Sequence, residues 1–220
     1  MTSSLSLELR NVAVGYKQPL ASNVSLEIRP KEFVTLMGEN GCGKTTLIDC
    51  IMGNLQPLKG QILFWGQENT GPFRVSINQK VGWVISQKEN YPLMLTIERF
   101  LARIATHYPT WNWDFCNRLC KAFDLDTRKK LFHLSLGEHS KVRLIKALSF
   151  EPSLIILDEL TANLSPKSKD SLLASLLDLF ASREMSILYI CHSNEEAIKL
   201  SDRIYEMTKN GLRLTGGQNV

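Results

Sequence analysis

No run in this sequence approaches the roughly 18 consecutive apolar residues that a membrane-spanning helix needs. The opening residues, Met1 to Asn11, carry no basic stretch followed by an apolar one, so no secretory signal is read. None of the five cysteines (Cys42, Cys50, Cys116, Cys120 and Cys191) forms a CxxC pair. That argues against a disulfide framework and for reduced thiols in a cytosolic protein. Cys116 and Cys120 stand at i, i+4 on an expected helix, where a metal would lack further ligands, so two packing thiols are expected. A surplus of one charge is also missing. The net charge of +4 is too small to point to nucleic acid or an anionic membrane surface. Internal repeats, low-complexity tracts and long linkers are absent as well, which excludes solenoids and arrays.

What remains is ordinary globular composition. Hydrophobic residues make up 44% and charged residues 22% of 220 positions, enough for one α/β domain with a sizeable core. Leu5, Leu7, Leu9, then Val12 and Val14 alternate with polar residues as in a half-buried strand, and Val24, Leu26 and Ile28 repeat the pattern. Phe33 to Met37, Gln61 to Phe64 and Val81 to Ile85 read as strands, and Thr45 to Met52 as a helix. Thr96 to His107, Trp113 to Phe123 and Leu136 to Phe150 read as helices. Strands return at Leu154 to Leu157, Ser186 to Ile190 and Arg203 to Met207, alternating with helices at Pro166 to Ser182 and Asn194 to Leu200. The alternation predicts a parallel βαβ sheet with a helical insertion. Leu172, Leu173, Leu176, Leu177 and Phe180 form a helical apolar stripe, read as core. Gly216 to Val220 are expected to fray.

Two motifs carry chemistry. Gly38-Glu39-Asn40-Gly41-Cys42-Gly43-Lys44-Thr45-Thr46 matches the phosphate-binding P-loop and falls between an expected strand and an expected helix, as that motif requires. Its glycines let the backbone wrap a triphosphate, with successive N–H groups pointing inward at a helix N-terminus. Lys44 places a positive charge between the β- and γ-phosphates, and the Thr45 hydroxyl is suited to Mg²⁺. The second motif is the apolar strand Leu154 to Leu157 ending in Asp158 and Glu159. On its own this is a solvated acidic pair at a strand end. Beside a P-loop, Asp158 can hold Mg²⁺ and Glu159 can act as base or orienting carboxylate for an attacking water.

These residues resemble an ATP-binding cassette (ABC) ATPase over nearly the whole chain. Leu134-Ser135-Leu136-Gly137-Glu138, followed by a basic helix, resembles the family's LSGGQ signature. Gln87 fits the Q-loop, His192 the switch histidine, and Tyr16 the aromatic that stacks on adenine. The resemblance implies a P-loop NTPase of ABC type: a RecA-like parallel-sheet core, residues 1–87 and 152–220, with an N-terminal antiparallel β subdomain and an inserted helical subdomain at about 88–151. It implies ATP and Mg²⁺ as cofactors. Glu159, His192, Lys44 and Gln87 then serve catalysis. Tyr16, Gly38, Asn40, Gly41, Cys42, Gly43, Lys44, Thr45 and Thr46 bind nucleotide, with Ser135 and Gly137 reaching the γ-phosphate of a second cassette across a head-to-tail dimer. Thr45, Gln87 and Asp158 are the metal ligands. The implied partners are transmembrane subunits and a second ABC ATPase subunit, homotypic or heterotypic, and no nucleic acid. The implied location is peripheral, at the cytoplasmic face of the membrane.

The pattern departs in places. Leu136 and Glu138 replace family residues in the signature, Leu160 replaces a proline, and Ser165 replaces the D-loop aspartate. That last change implies a working ATPase with weaker coupling between sites. Residues 106–114, from Thr106 to Asp114, resemble a segment of bacterial exporter ATPases of the antibiotic-resistance and multidrug type; Trp111 and Trp113 read equally well as helix-packing aromatics. Tyr91, Leu93, Met94 and Leu95, with Glu98 and Arg103 at the rim, read either as contact area for a membrane subunit or as packing on the helical subdomain. The expectation is therefore the ATP-hydrolysing subunit of a transporter, an exporter by that segment. The alternatives are a soluble ABC protein associated with ribosomes or nucleic acid, and a low-turnover regulatory cassette.

Overall fold

The computed structural model of the protein describes residues 5–69, 73–85, 92–162, 164–181 and 183–217. They fall into two compact units, Met1–Asn78 with Glu184–Val220, and Gln79–Arg183.

In the first unit, β1 (Leu7–Gly15) and β2 (Pro19–Ile28) pair antiparallel. β3 (Phe33–Gly38) belongs to a second sheet, described below. β4 (Lys59–Phe64) lies on the other side of β1, with the two-residue β5 (Gln67–Glu68) beyond it. The alternation that begins at Leu7 and Leu9 resumes out of phase at Val12 and Val14. The register of β1 against β2 shifts between Leu9 and Val12, where Asn11 has φ 48°. This bulge takes up one residue, so all four apolar side chains stay buried.

The second sheet of this unit puts β3 between parallel neighbours, β8 (Ser186–Ile190) and β9 (Arg203–Thr208). Phe33, Val34, Thr35 and Leu36 are all buried, which is why β3 reads as a continuous run rather than an alternation. Helix α1 (Lys44–Ile51) follows β3, the short α2 (Phe73–Asn78) follows β5, and α7 (Asn194–Leu200) follows β8. A last strand, β10 (Gly211–Gly216), runs antiparallel to β9. Here the sequence reading needs correction at Gly216, which pairs with Ile204 instead of fraying; residues 218–220 of the same expected frayed end lie outside the described residues. β10 is held by its backbone ladder and leaves most side chains exposed, so it carries no hydrophobic signal.

The second unit pairs β6 (Val81–Ile85) in parallel with β7 (Leu154–Asp158), with Ile85 opposite Asp158. Its helices are α3 (Ile97–Ala105), α4 (Trp113–Ala122), α5 (Leu136–Leu148) and α6 (Pro166–Ala181). Three start on side-chain caps, where Thr96, Asn112 and Ser135 accept a backbone N–H from the third helical residue. Leu172, Leu173 and Leu176 of α6 are buried, as the stripe predicted. The aromatics of residues 108–113 pack on the end of α5. Tyr108 stacks on Phe150 at 4.1 Å, Trp111 meets Trp113 at 5.7 Å, and the Asn112 N–H donates to Ser149 O at 2.7 Å. Cys116 and Cys120 are buried thiols on α4. A hydrogen bond from Cys120 holds the Cys116 thiol down to about 7, while the same bond and burial push Cys120 up. No helix among the described residues is long and apolar enough to cross a membrane.

Candidate functional site

The P-loop of the first unit joins β3 to α1, as its strand–loop–helix order requires. Gly38 ends β3 opposite Met207; a Cβ there would come within 2.8 Å of the Met207 carbonyl oxygen. Gly43 begins α1 in the left-handed region, at φ 103°, and no side chain caps the helix. Its first N–H groups are therefore open to an anion. The Lys44 ammonium folds back over the loop, donating to the carbonyls of Gly38 at 2.7 Å and Glu39 at 2.9 Å. Lys44 is only 8% exposed, and among the described residues it meets no carboxylate. Thr45 and Asn40 are exposed, whereas Cys42 and Thr46 are buried under the loop.

Tyr16 stands in the turn between β1 and β2 with 71% of its surface exposed. The turn needs Gly15, whose Cβ would lie 2.1 Å from Gln18 O. On either side of the turn, Val14 and Leu20 pack against Gly43, within 3.4 Å of where its side chain would begin. The turn that carries Tyr16 is thereby held beside the P-loop. His192 comes to the same end of the sheet: Leu36 pairs with Ile190, and the Cys191 N–H donates to Leu36 O. The P-loop follows one strand of this pair and the histidine follows the other.

The second unit holds the remaining candidates. Asp158 ends β7 and is 9% exposed. Glu159 follows at φ 48°, a left-handed backbone uncommon for a residue with a side chain. It starts a turn in which the Ala162 N–H donates back to Glu159 O at 3.0 Å, with Leu160 buried at 3% exposure. Gln87 lies outside the described residues, as do Tyr91 and Asn163.

Ser135 caps α5 in a complete capping box. Its hydroxyl accepts the Glu138 N–H at 3.2 Å, and Glu138 accepts the Ser135 N–H at 2.7 Å. Lys129 adds an ion pair to both Glu138 oxygens, at 2.8 and 3.0 Å. Burial pushes the Glu138 carboxyl up, but Lys129 and the Ser135 groups outweigh it and hold it below the usual carboxylate range. Glu138 thus departs from the family pattern yet builds the cap. Gly137 sits in the first turn, and a Cβ there would find Ser168 no closer than 3.8 Å. The fold does not demand this glycine, which costs a helix about 1 kcal/mol relative to alanine. Ser165 lies close by: its hydroxyl accepts the Ser168 N–H at 3.4 Å and bonds the Ser168 hydroxyl at 2.9 Å, starting α6 ahead of Pro166.

The capping role of Glu138 was legible in the Ser135-x-x-Glu138 spacing; Lys129 as its partner was not. Nor does any local pattern mark Leu20 and Met207 as walls around Gly43.

Comparison with known proteins shows the family. Residues 21–162 match the family model described as ABC transporter. The chain is 32% identical to the energy-coupling factor transporter ATP-binding protein EcfA2 of Clostridium tetani, covering 96% of this chain and 79% of that protein. It is also 32% identical to the galactose/methyl galactoside import ATP-binding protein MglA of Yersinia pestis, over 90% of this chain and 41% of that one. Among solved structures, an ATP-binding subunit of an ABC transporter superposes with a TM-score of 0.85 at 26% identity, covering 97% of this chain and 90% of the other. A dimeric ATP-binding cassette in a post-hydrolysis state, bound to ADP and Pi, shares the fold, with a TM-score of 0.83 at 22% identity, covering 97% of this chain and all of the other. The chain belongs to the ABC transporter family, as an ATP-binding and ATP-hydrolysing transporter subunit.

Proposed function

We propose that this chain is the motor of a membrane transporter that binds ATP with Mg²⁺ on its P-loop, closes head to tail on a second cassette, and hydrolyses ATP to reopen. The observation that carries this reading is Lys44, a buried ammonium at an uncapped helix N-terminus. Its partners among the described residues are two carbonyls. A buried cation without a counter-charge is costly, and a triphosphate relieves that cost. The N–H groups of residues 38–46, including Asn40, Cys42 and Thr46, surround the phosphates, and the exposed Tyr16 ring stacks on adenine. Mg²⁺ takes hard oxygen ligands, and the residues assigned to it are Thr45, with its exposed hydroxyl, Asp158 and Gln87. The ion, when bound, neutralises charge on the β- and γ-phosphates. Glu159 orients the attacking water and takes up its proton, and His192 holds the γ-phosphate side of that water. Ser135 and Gly137 of one copy meet the γ-phosphate bound at Lys44 of the other. The Ser135 hydroxyl accepts within its own cap and keeps its proton to donate outward.

The named relatives are transporter ATP-binding proteins, and one solved neighbour is a dimer. Both facts support membrane subunits and a second cassette as partners, and a peripheral position on the cytoplasmic face. The exposed Leu93 and Met94, 47% and 72%, supply apolar contact area for a membrane subunit. The exporter direction gains no support: residues 108–113 pack on α5, and one named relative serves import. The test is to tag the chain in its host, solubilise membranes gently and identify what co-purifies. A polytopic membrane protein is expected, and its identity reads out direction. Recovery only with ribosomes or nucleic acid would overturn the transporter reading.

A further inference from the structure

His192 lies in a short turn, Cys191 to Ser193, between β8 and α7. Polar bonds hold this turn on every side. Ahead of it, the Cys191 N–H donates to Leu36 O at 3.4 Å, on the strand that leads into the P-loop. Behind it, Ser193 caps α7, its hydroxyl accepting the Glu196 N–H at 3.3 Å. Across it, the Tyr189 hydroxyl donates to a Glu196 carboxylate oxygen. Tyr189 is fully buried, its ring edge-on to Phe33 at 6.3 Å, and Glu196 is 4% exposed. The far end of α7 is tied to β3 as well. Ser201 and Thr35 share a buried hydroxyl–hydroxyl bond of 2.5 Å, and Asp202 accepts the Phe33 N–H at 2.8 Å.

A buried polar pair is weak evidence for stability, since well-packed apolar residues of similar volume often serve as well. What such a pair supplies is a single geometry, because each buried polar group is costly unless it meets its partner. Here that geometry closes over the His192 turn. We propose that Tyr189 and Glu196 are positioning residues for ATP hydrolysis, which set where His192 stands relative to the P-loop. This rests on the role assigned to His192 under the proposed function. Both residues are buried and act through the turn.

The experiment compares the full chain with Tyr189→Phe, Glu196→Gln, His192→Ala and the Tyr189→Phe/His192→Ala double variant. It measures kcat and KM for ATP hydrolysis, nucleotide Kd and Tm. Tyr189→Phe keeps the ring and its packing on Phe33 and loses only the hydroxyl. Its kcat is expected to fall by about tenfold to a hundredfold, the scale of a small misplacement at a reacting centre, with KM and Kd within about twofold of wild type. Glu196→Gln keeps an acceptor for the Tyr189 hydroxyl and is expected to retain most turnover. In the His192→Ala background, Tyr189→Phe is expected to add nothing, because both changes remove one function. Wild-type kcat in Tyr189→Phe beside an impaired His192→Ala protein would overturn the positioning pair alone. So would a further loss in the double variant, or a fall of kcat, Kd and Tm together in Tyr189→Phe. Wild-type kcat in His192→Ala would overturn the histidine's role, and the positioning claim with it.

Discussion

Two helix N-termini in this molecule are built in opposite ways. α1 in the first unit begins at a left-handed glycine with no side-chain cap, and its first residue, Lys44, is folded over the loop carbonyls. α5 in the second unit begins with a closed capping box reinforced by Lys129. Both termini have the positive end of a helix dipole to offer an anion. The first leaves its donors to the ligand and depends on one for their satisfaction. The second satisfies its donors internally and presents only a hydroxyl proton and a bare glycine. An open terminus suits a primary phosphate site, whereas a closed one suits a surface that must stay folded until a charged partner arrives.

The sharpest way to break this contrast is Lys44→Ala. Turnover is expected to fall by at least about a hundredfold, the scale of losing one strong donor at developing phosphate charge, with Tm unchanged or higher because a buried cation is gone. Steady-state Mg-ATPase assays and thermal melts check this; a stable protein with normal turnover would remove the P-loop from the chemistry.

Next come the glycines. Gly38→Ala drives a Cβ to 2.8 Å from a backbone oxygen, and a destabilisation of about 1–3 kcal/mol by denaturant titration is expected. Gly137→Ala meets nothing closer than 3.8 Å, so stability is expected to hold or rise by about 0.5–1 kcal/mol while turnover drops. Unchanged turnover would mean that no phosphate approaches that turn.

The cap itself gives a smaller effect. Glu138→Ala is expected to cost about 1 kcal/mol, and Glu138→Gln less, since the box is kept. The folded Glu138 carboxyl titrates below its ordinary value of 4.5. Its contribution is therefore present above that pH and is lost as the pH falls through the lower folded value. Melts from pH 7 down to pH 3 should show this acid-side loss in wild type and a shallower one in Glu138→Gln. The smallest effect is expected from Ser165→Asp. Aspartate caps a helix as well as serine does, so the fold is kept and turnover should rise by a fewfold as site-to-site coupling returns. An unchanged rate would detach Ser165 from coupling.

The difference between the two termini also explains what could be read from sequence. The P-loop was legible because it is local: strand, glycine-rich loop and helix follow one another, and β3 is too apolar to be exposed. Asp158 and Glu159 were legible for the same reason, at the end of a buried run. β10, β5 and α2 were not, since they are short and mostly exposed, and backbone pairing leaves no periodic signature. The bulge at Asn11 showed only as a slip of phase between Leu9 and Val12. Contacts that join distant positions were beyond reach: Lys129 with Glu138 needs the loop before α5, and Tyr189 with Glu196 needs α7 folded onto β8.

The most direct test of the account is Mg²⁺-dependent ATP hydrolysis by wild type and Glu159→Gln, with ATP affinity measured on the same samples. Wild type should hydrolyse ATP only with Mg²⁺. Glu159→Gln should bind ATP as tightly and turn over at least about a hundredfold more slowly, the range of a lost general base. Equal, background-level rates in both proteins, with ATP bound, would contradict it.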